Sequence, residues 1–250
     1  MALHETEALV IKSYPLAEAD KIVVFLTRSH GLVRGVAKGA KRLTSRFGSS
    51  LEPFSFVRLE FFQSGDRELV TIKRADLVES LFSRVSDDVL LTKLAYFSEI
   101  VSVFAPPSDP DDRLYRMTRI CLETAASEPG LTDFLTLYFE VWVLRLGGFL
   151  PSWKVCSRCG RQLEPGEETV LRADFRLACA SCERIRQTDR VDSALRELLV
   201  LALKLPPPEF ARSAGDFATS VPELSAIMKR MMASVVGREG GAVTARGNRD

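Results

Sequence analysis

Short runs of alternating apolar and polar residues fill the first eighty positions of the chain. A period of two predicts strands with one buried face, and no helix-length pattern separates these runs. The predicted strands are Ala8 to Tyr14, Lys21 to Thr27, Leu32 to Ala37, Phe54 to Phe62 and Leu69 to Val78. Five short strands predict a small closed or nearly closed barrel, and both the OB class and an SH3-like barrel fit the pattern.

From about residue 80 the apolar residues recur at helical spacing instead. Proline-containing breaks, such as Pro106-Pro107 and Pro129-Gly130, separate the helical stretches. The predicted helices are Val89 to Phe104 after Ser86-Asp87-Asp88, Pro110-Asp111-Asp112 to about Ser127, Asp133 to Leu146, 192–204 and 221–236. The fold class is therefore α+β: an N-terminal OB-like β-barrel, an α-helical body and an inserted four-cysteine module.

These patterns divide the chain into four parts. Residues 1–80 form the predicted barrel, and residues 81–152 and 187–236 form a helical domain that a small module at 153–186 interrupts. The tail at 237–250 is rich in Gly, Arg and Asn and lacks apolar periodicity, so we expect it to be disordered.

Composition is that of an ordinary globular protein. The chain has 250 residues, 46% of them hydrophobic and 27% charged, with a net charge of +1. The most apolar stretch, Phe134 to Leu150, is interrupted by Glu140 and Arg145, so it predicts a buried helix and no membrane span. No apolar signal core lies near the N-terminus, and we expect a cytoplasmic protein whose cysteines are reduced.

Four of the five cysteines form two C-x-x-C pairs, Cys156 with Cys159 and Cys179 with Cys182, separated by nineteen residues. This spacing is typical of four-cysteine zinc ribbons, in which thiolates take the four tetrahedral positions. Two disulfides, a redox pair or coincidence are the alternatives, and a reducing compartment argues against disulfides. Because four thiolates leave no open coordination position, the predicted zinc is structural. We expect the fifth, Cys121, to be a buried core thiol.

A basic run lies within the predicted barrel. Seven cations and no acid occur between Lys21 and Leu51, although charges alternate in sign elsewhere. Lysine, arginine, hydroxyl groups and a close glycine backbone such as that of Gly39 suit phosphate oxygens, so we predict a phosphate-binding groove. A solvated loop without a partner is the alternative. The residues assigned to the groove are Arg34, Lys38, Lys41, Arg42 and Arg46.

Aromatic residues of the barrel region, Phe25, Phe47, Phe54, Phe56, Phe61 and Phe62, could stack on bases, although alternating aromatics usually face a core.

Two sets of motifs carry a family resemblance. The first comprises Glu7-Ala8-Leu9-Val10-Ile11, Glu18-Ala19-Asp20-Lys21-Ile22-Val23, Gly31-Leu32, Val36-Ala37-Lys38-Gly39-Ala40-Lys41-Arg42 and Ser45-Arg46-Phe47. The second comprises Phe139-Glu140, Leu144, Gly147-Gly148-Phe149 and Pro151, leading into Cys156-x-x-Cys159-Gly160. In this order they resemble the RecO family of bacterial recombination mediators.

The resemblance implies an N-terminal OB-fold, a helical domain and an interrupting zinc module. It implies a role in recombinational DNA repair: binding single- and double-stranded DNA, annealing complementary strands and helping to load a recombinase onto coated strands. It also implies two protein partners, RecR and single-strand DNA-binding protein, and a location at the nucleoid in the cytoplasm. Some members of the family lack cysteines, so the metal is not expected to carry the function.

Two rival functions stay open. An enzyme needs a metal with an open position or a carboxylate cluster, and the densest acids, Asp109, Asp111 and Asp112, are better explained as the start of a helix. We therefore expect no catalytic residues. A protein-only adaptor with a structural zinc ribbon is the alternative function, with the helices from Asp133 and Asp192 lining a groove for a partner peptide.

Overall fold

The computed structural model describes residues 2–65, 68–85, 88–107, 109–184, 186 and 189–246, with the backbone alone at 83 and 238–246. Five strands make up its N-terminal part. They form a closed ring in the order β1-β2-β3-β5-β4. All neighbours are antiparallel except β3 and β5, which run parallel. The strands are β1 (Ala2–Leu16), β2 (Asp20–Thr27), β3 (Leu32–Ala37), β4 (Ser55–Gln63) and β5 (Leu69–Ser80). This topology is of the OB type, so the predicted OB-like barrel is confirmed.

The alternation of side chains along each strand produces the barrel core. Inward residues such as Val10, Phe25 and Ile72 are at most 2% exposed. Phe47 and Leu51, from the connection between β3 and β4, join the same core. Gly35 permits the interior packing of β3, because a Cβ there would lie 2.2 Å from the Ile72 side chain. The connection is therefore attached to the barrel by buried apolar side chains.

Two helices follow the barrel, α1 (Asp88–Phe104) and α2 (Asp112–Ser127). The expected start of the first helix at Ser86 and Asp87 falls outside the described residues, and Asp88 opens α1. Asp111 caps α2, because its carboxylate accepts hydrogen bonds from the backbone N–H groups of Arg113 and Leu114. This confirms the interpretation of the acids near residue 110 as a helix start.

The chain consists of two compact units, Met1–Thr132 and Asp133–Asp250. The first unit includes α1 and α2, and salt bridges tie α2 to the barrel: Arg28, just after β2, bonds Asp112 at 2.8 Å, and Arg119 lies 3.9 Å from Glu79 of β5. From the sequence, all the helices are instead expected to form one helical domain over 81–152 and 187–236, and this stays a prediction.

The second unit holds four helices and a three-stranded sheet within its described residues. The strand order is β7-β6-β8. The elements are α3 (Thr132–Leu146), β6 (Thr169–Leu171), β7 (Leu177–Cys179), β8 (Arg190–Val191), α4 (Ser193–Lys204), α5 (Pro207–Ser213) and α6 (Val221–Arg246). None of the described helices is long and apolar enough to cross a membrane.

Thr169 to Ala178 forms most of a hairpin, because the chain turns at Arg172 to Phe175 between β6 and β7. Helix α4 ends at Lys204, and Pro207 begins α5, since proline is tolerated in a first helical turn.

The predicted disordered tail at 237–250 stays a prediction. The described backbone of α6 continues to Arg246, and residues 247–250 lie outside the described residues.

Candidate metal centre and nucleic-acid interface

The four cysteines of the two C-x-x-C pairs converge on one point. Their sulfur atoms all lie within 4.8 Å of one another. Cys156 and Cys179 are buried, whereas Cys159 and Cys182 are exposed. Four thiol ligands at this separation match the donor set of a closed tetrahedral metal site.

Short turns place both pairs. Cys156 lies on a small hairpin in which Val155 pairs with Gln162, and the N–H of Gly160 donates to the Cys156 carbonyl at 2.9 Å. Gly160 has φ +76°, a conformation that glycine adopts without strain. The second turn follows β7, where the N–H of Cys182 donates to the Cys179 carbonyl at 3.0 Å. The spacing thus folds into two facing turns.

The electrostatics of the cluster favour a cation. Burial raises the pKa of Cys156, but backbone N–H groups of Cys159, Cys179 and Arg158 outweigh it and bring this pKa to about 6. Contacts with the sulfurs of Cys179 and Cys159 raise the pKa of Cys182 to about 12. The lowered pKa favours the thiolate form of Cys156, whereas the raised pKa of Cys182 shows that repulsion between neighbouring thiolates opposes the ionisation of all four cysteines. A divalent cation would remove that repulsion.

Cys121 is a different case. It is fully buried in the first unit, and this burial raises the pKa of its thiol. The prediction of a packed core thiol is confirmed.

The predicted DNA-binding residues are all exposed. Arg34 points outward from β3, and the other four belong to the segment 38–46, which we call the basic loop. Among the residues that the structure describes, no carboxylate oxygen lies within 4.0 Å of the charged nitrogens of these five side chains. They are Arg34, Lys38, Lys41, Arg42 and Arg46. Their positive charge therefore faces solvent without a paired acid.

Two other cations of the acid-free run are neutralised. Lys21 pairs with Glu52 at 2.9 Å. Arg28 pairs with Asp112 at 2.8 Å and with Glu7 at 3.4 Å. Of the seven cations, five are thus left without an acid partner among the residues that the structure describes.

Backbone and side-chain hydrogen bonds hold the basic loop in place. The N–H of Lys41 donates to the Ala19 carbonyl at 2.9 Å, and the Lys41 Nζ donates to the Ala17 carbonyl at 3.1 Å. The N–H of Gly39 donates to the Asp20 carboxylate at 2.8 Å. The Gly39 amide is therefore already engaged by Asp20.

The barrel aromatics are not displayed for stacking. Phe25, Phe47, Phe54, Phe56 and Phe61 are each at most 3% exposed, and Phe62 is half-buried with the Lys73 Nζ 5.9 Å from its ring centre. Leu43, in the middle of the basic loop, is instead fully exposed. The exposure of Leu43 was not predicted from the sequence, although its position between the polar residues Arg42 and Thr44 indicates an exposed site.

The second unit carries an apolar groove of about 760 Å³. Residues of α4 such as Val200 and Leu203 form one side, and Trp153 and Leu163 belong to the cysteine module. Exposed cations of this unit also line it: Arg145, Lys154 and Lys204. The helices expected to line a peptide groove, those from Asp133 and Asp192, both contribute.

Family models match both parts of the chain. The model described as "Recombination protein O N terminal" matches residues 1–81, which contain the whole barrel. The model described as "Recombination protein O C terminal" matches residues 86–210, which contain the four cysteines.

Curated relatives agree with these matches. A DNA repair protein RecO from Koribacter versatilis is 32% identical over 214 residues, 84% of each chain. One from Geobacter metallireducens is 36% identical over 182 residues, 72% of each chain. One from Thermodesulfovibrio yellowstonii is 30% identical over 182 residues, 72% of this chain and 70% of the relative. With an OB barrel, a basic loop and a four-cysteine cluster in the expected order, the chain belongs to the RecO family of DNA repair and recombination proteins.

Proposed function

We propose that this protein is a DNA-binding recombination mediator. It binds single- and double-stranded DNA, anneals complementary strands and helps to load a recombinase onto strands coated with single-strand DNA-binding protein. The observation that carries the proposal is the set of five exposed cations, free of paired acids, on Arg34 and the basic loop. A role in DNA repair and recombination is the family's property, and the binding surface is our assignment.

The mechanism is electrostatic. Lys38, Lys41 and Arg42 contact phosphate oxygens of a strand and release its counterions. When a second strand approaches, the same cations lower the repulsion between the two backbones. Because base pairing itself supplies the free energy of annealing, no covalent chemistry and no catalytic residue are required. We propose that the protein is not an enzyme.

The four cysteines are proposed to hold zinc. Cys156, Cys159, Cys179 and Cys182 would be its ligands, and the ion would cross-link the two turns of a segment with a very small core. A four-thiolate set leaves no position for a reacting water. The zinc would therefore stabilise the fold near the groove and take no part in chemistry.

RecR and single-strand DNA-binding protein are proposed as protein partners, and the cytoplasm, at the nucleoid, as the location. We place one protein contact in the apolar groove of the second unit, whose exposed cations favour an acidic and apolar segment. The same groove favours the second candidate function, a protein-only adaptor.

Strand annealing tests the proposal and separates the two functions. Complementary oligonucleotides are mixed with and without the protein, bare or coated with single-strand DNA-binding protein. A mediator accelerates annealing on its own, and the variant Lys38→Glu, Lys41→Glu, Arg42→Glu loses both annealing and DNA binding. An adaptor has no effect on bare strands. Failure of the wild-type protein to bind or anneal bare strands would therefore refute the proposed function.

A further inference from the structure

A second concave site lies in the first unit, beside the proposed phosphate surface. It is a cavity of about 570 Å³ between the ends of β3, β4 and β5 and the end of α1. That volume is within the range of pockets that hold small molecules. Arg34, one of the five proposed phosphate-binding residues, lines it.

The cavity is a built feature of the fold. The chain after α1 lies against the turn between β2 and β3: the N–H of Leu32 donates to the Pro106 carbonyl at 3.3 Å, and Gly31 pairs with Pro107. A Cβ on Gly31 would lie 2.7 Å from the Asp109 backbone oxygen, so only glycine permits this approach. The contact holds Pro107 and the end of α1 against β3.

Its lining combines an apolar wall with polar groups. Val103, Ala105 and Pro107 form the wall on the side of α1, and Val103 is 52% exposed. Gln63 and Glu68 offer amide and carboxylate groups on the side of the strands. Apolar contact beside an amide and a carboxylate suits an aromatic heterocycle that carries amino and carbonyl groups.

Arg34 connects this cavity to the basic loop. Side chains alternate along a strand, so Arg34 and Val36 share the outer face of β3, and the chain then enters the basic loop at Lys38. At about 3.3 Å per residue, Arg34 and Lys38 are separated by roughly 13 Å. A strand of a few nucleotides could span that distance with its phosphates on both cations.

We propose that the cavity accepts one unstacked nucleobase of a single strand whose phosphates lie on Arg34 and the basic loop. This inference rests on the proposed function and adds a base-binding site to it. The bases of an intact duplex are stacked and paired, so they cannot enter, and the cavity gives the protein a preference for single strands.

The test compares a thymidine oligonucleotide with an abasic strand of the same length and charge. The wild-type protein is expected to bind the thymidine strand about fivefold to tenfold more tightly. Val103→Trp fills the cavity, and it should reduce this preference to about one while leaving the affinity for the abasic strand unchanged. The matched control is Val89→Trp, on the first turn of the same helix, where valine is 66% exposed and does not line the cavity.

A second measurement does not depend on any variant. A single 2-aminopurine placed in an abasic strand should change its fluorescence when the wild-type protein binds, as the base leaves water. Equal affinity for thymidine and abasic strands, an unchanged preference in Val103→Trp, or unchanged 2-aminopurine fluorescence would each overturn the base site while the phosphate surface stands. If the wild-type protein binds neither strand, the proposed function itself fails.

Discussion

His30 and His4 share a hydrogen bond at one end of the barrel, with the Nε2 of His30 3.1 Å from the Nδ1 of His4. They are the only two histidines of the chain. His4 stacks on Phe61, with ring centres 5.2 Å apart, and His30 meets the same ring edge-on at 5.3 Å. Only one of the two facing nitrogens can carry the shared proton, so protonation of both rings places two cations in contact.

The histidine pair should make barrel stability depend on pH. Burial lowers the pKa of His30 from its ordinary 6.5, and the neighbouring His4 lowers it further. A lowered folded-state pKa means that the stabilisation is complete above pH 6.5 and is lost as the pH falls below that value. We expect the urea midpoint to decrease between about pH 7.5 and pH 5.5, and to decrease less in His30→Gln. Equal decreases in both proteins would contradict this prediction.

Charge removal on the basic loop should reduce the salt dependence of DNA binding. The variant Lys38→Gln, Lys41→Gln, Arg42→Gln removes three phosphate contacts, so the log–log slope against salt on single strands should become shallower by about 2. The control is Arg58→Gln, Lys73→Gln, Arg74→Gln on the same barrel, whose cations are paired with Glu5, Glu60 and Asp76. Slopes that change equally in both variants would show that the basic loop has no special role.

The comparison of basic-loop cations with salt-bridged cations depends on ion pairs that the sequence does not reveal. The alternation of apolar residues predicts the bounds of β3, Leu32–Ala37, because strand period and burial are local properties. The acid-free run ends at Asp20 and Glu52, and both acids fold back onto it: Glu52 neutralises Lys21 from 31 positions away, and Asp20 binds the Gly39 amide. Which cations stay unpaired is therefore decided by tertiary structure.

The four-cysteine cluster shows the opposite case. Its members could be identified from the spacing of Cys156, Cys159, Cys179 and Cys182, because a C-x-x-C turn brings its two sulfurs together locally. The cavity beside Arg34 could not be foreseen, since Val103 and Pro107 reach it only when the chain after α1 docks on the β2–β3 turn.

Purified protein should contain about one zinc ion per chain, and Cys159→Ser should lose it. The serine hydroxyl is a far weaker ligand than a thiolate, and a structural zinc supplies on the order of 10 kcal/mol of apparent binding free energy. Elemental analysis of the two proteins measures this directly. Cys121→Ser is the control, because Cys121 lies outside the cluster and should leave the metal content unchanged. Equal zinc content in wild type and Cys159→Ser would contradict the assignment.

Protein binding and DNA binding should be separable by mutation. Val200 is 51% exposed and lines the groove of the second unit. In Val200→Asp, a carboxylate faces an apolar surface and should repel an acidic segment, so affinity for the proposed partner that binds in the groove, RecR or single-strand DNA-binding protein, should fall about tenfold or more. Val236→Asp, at a 43% exposed position of α6 outside the groove, should not change it. Calorimetric titration measures the affinity of each variant for the partner, and a separate titration measures its affinity for DNA. Loss of both partner binding and DNA binding in Val200→Asp would indicate misfolding instead.

The basic loop should depend on its buried anchor and not on its exposed leucine. Phe47 is 3% exposed within the barrel core, whereas Leu43 is fully exposed four residues before it. Phe47→Ala leaves a cavity and should lower the free energy of unfolding by about 3–5 kcal/mol. Leu43→Ala should change it by less than about 0.5 kcal/mol. Chemical denaturation measures both values.

The Phe47→Ala variant also tests whether the basic loop acts as a fixed surface. Phe47 anchors the segment that carries Lys41, Arg42 and Arg46, and the Arg46 guanidinium lies 4.9 Å from the centre of the Phe47 ring. Without the anchor, the cations must be ordered when DNA binds, which costs conformational entropy and weakens binding even where the protein stays folded. We therefore expect Phe47→Ala to reduce DNA affinity at a temperature well below its unfolding transition, with an unchanged salt slope because the number of phosphate contacts is the same. A shallower slope would instead mean that the contacts themselves had been lost.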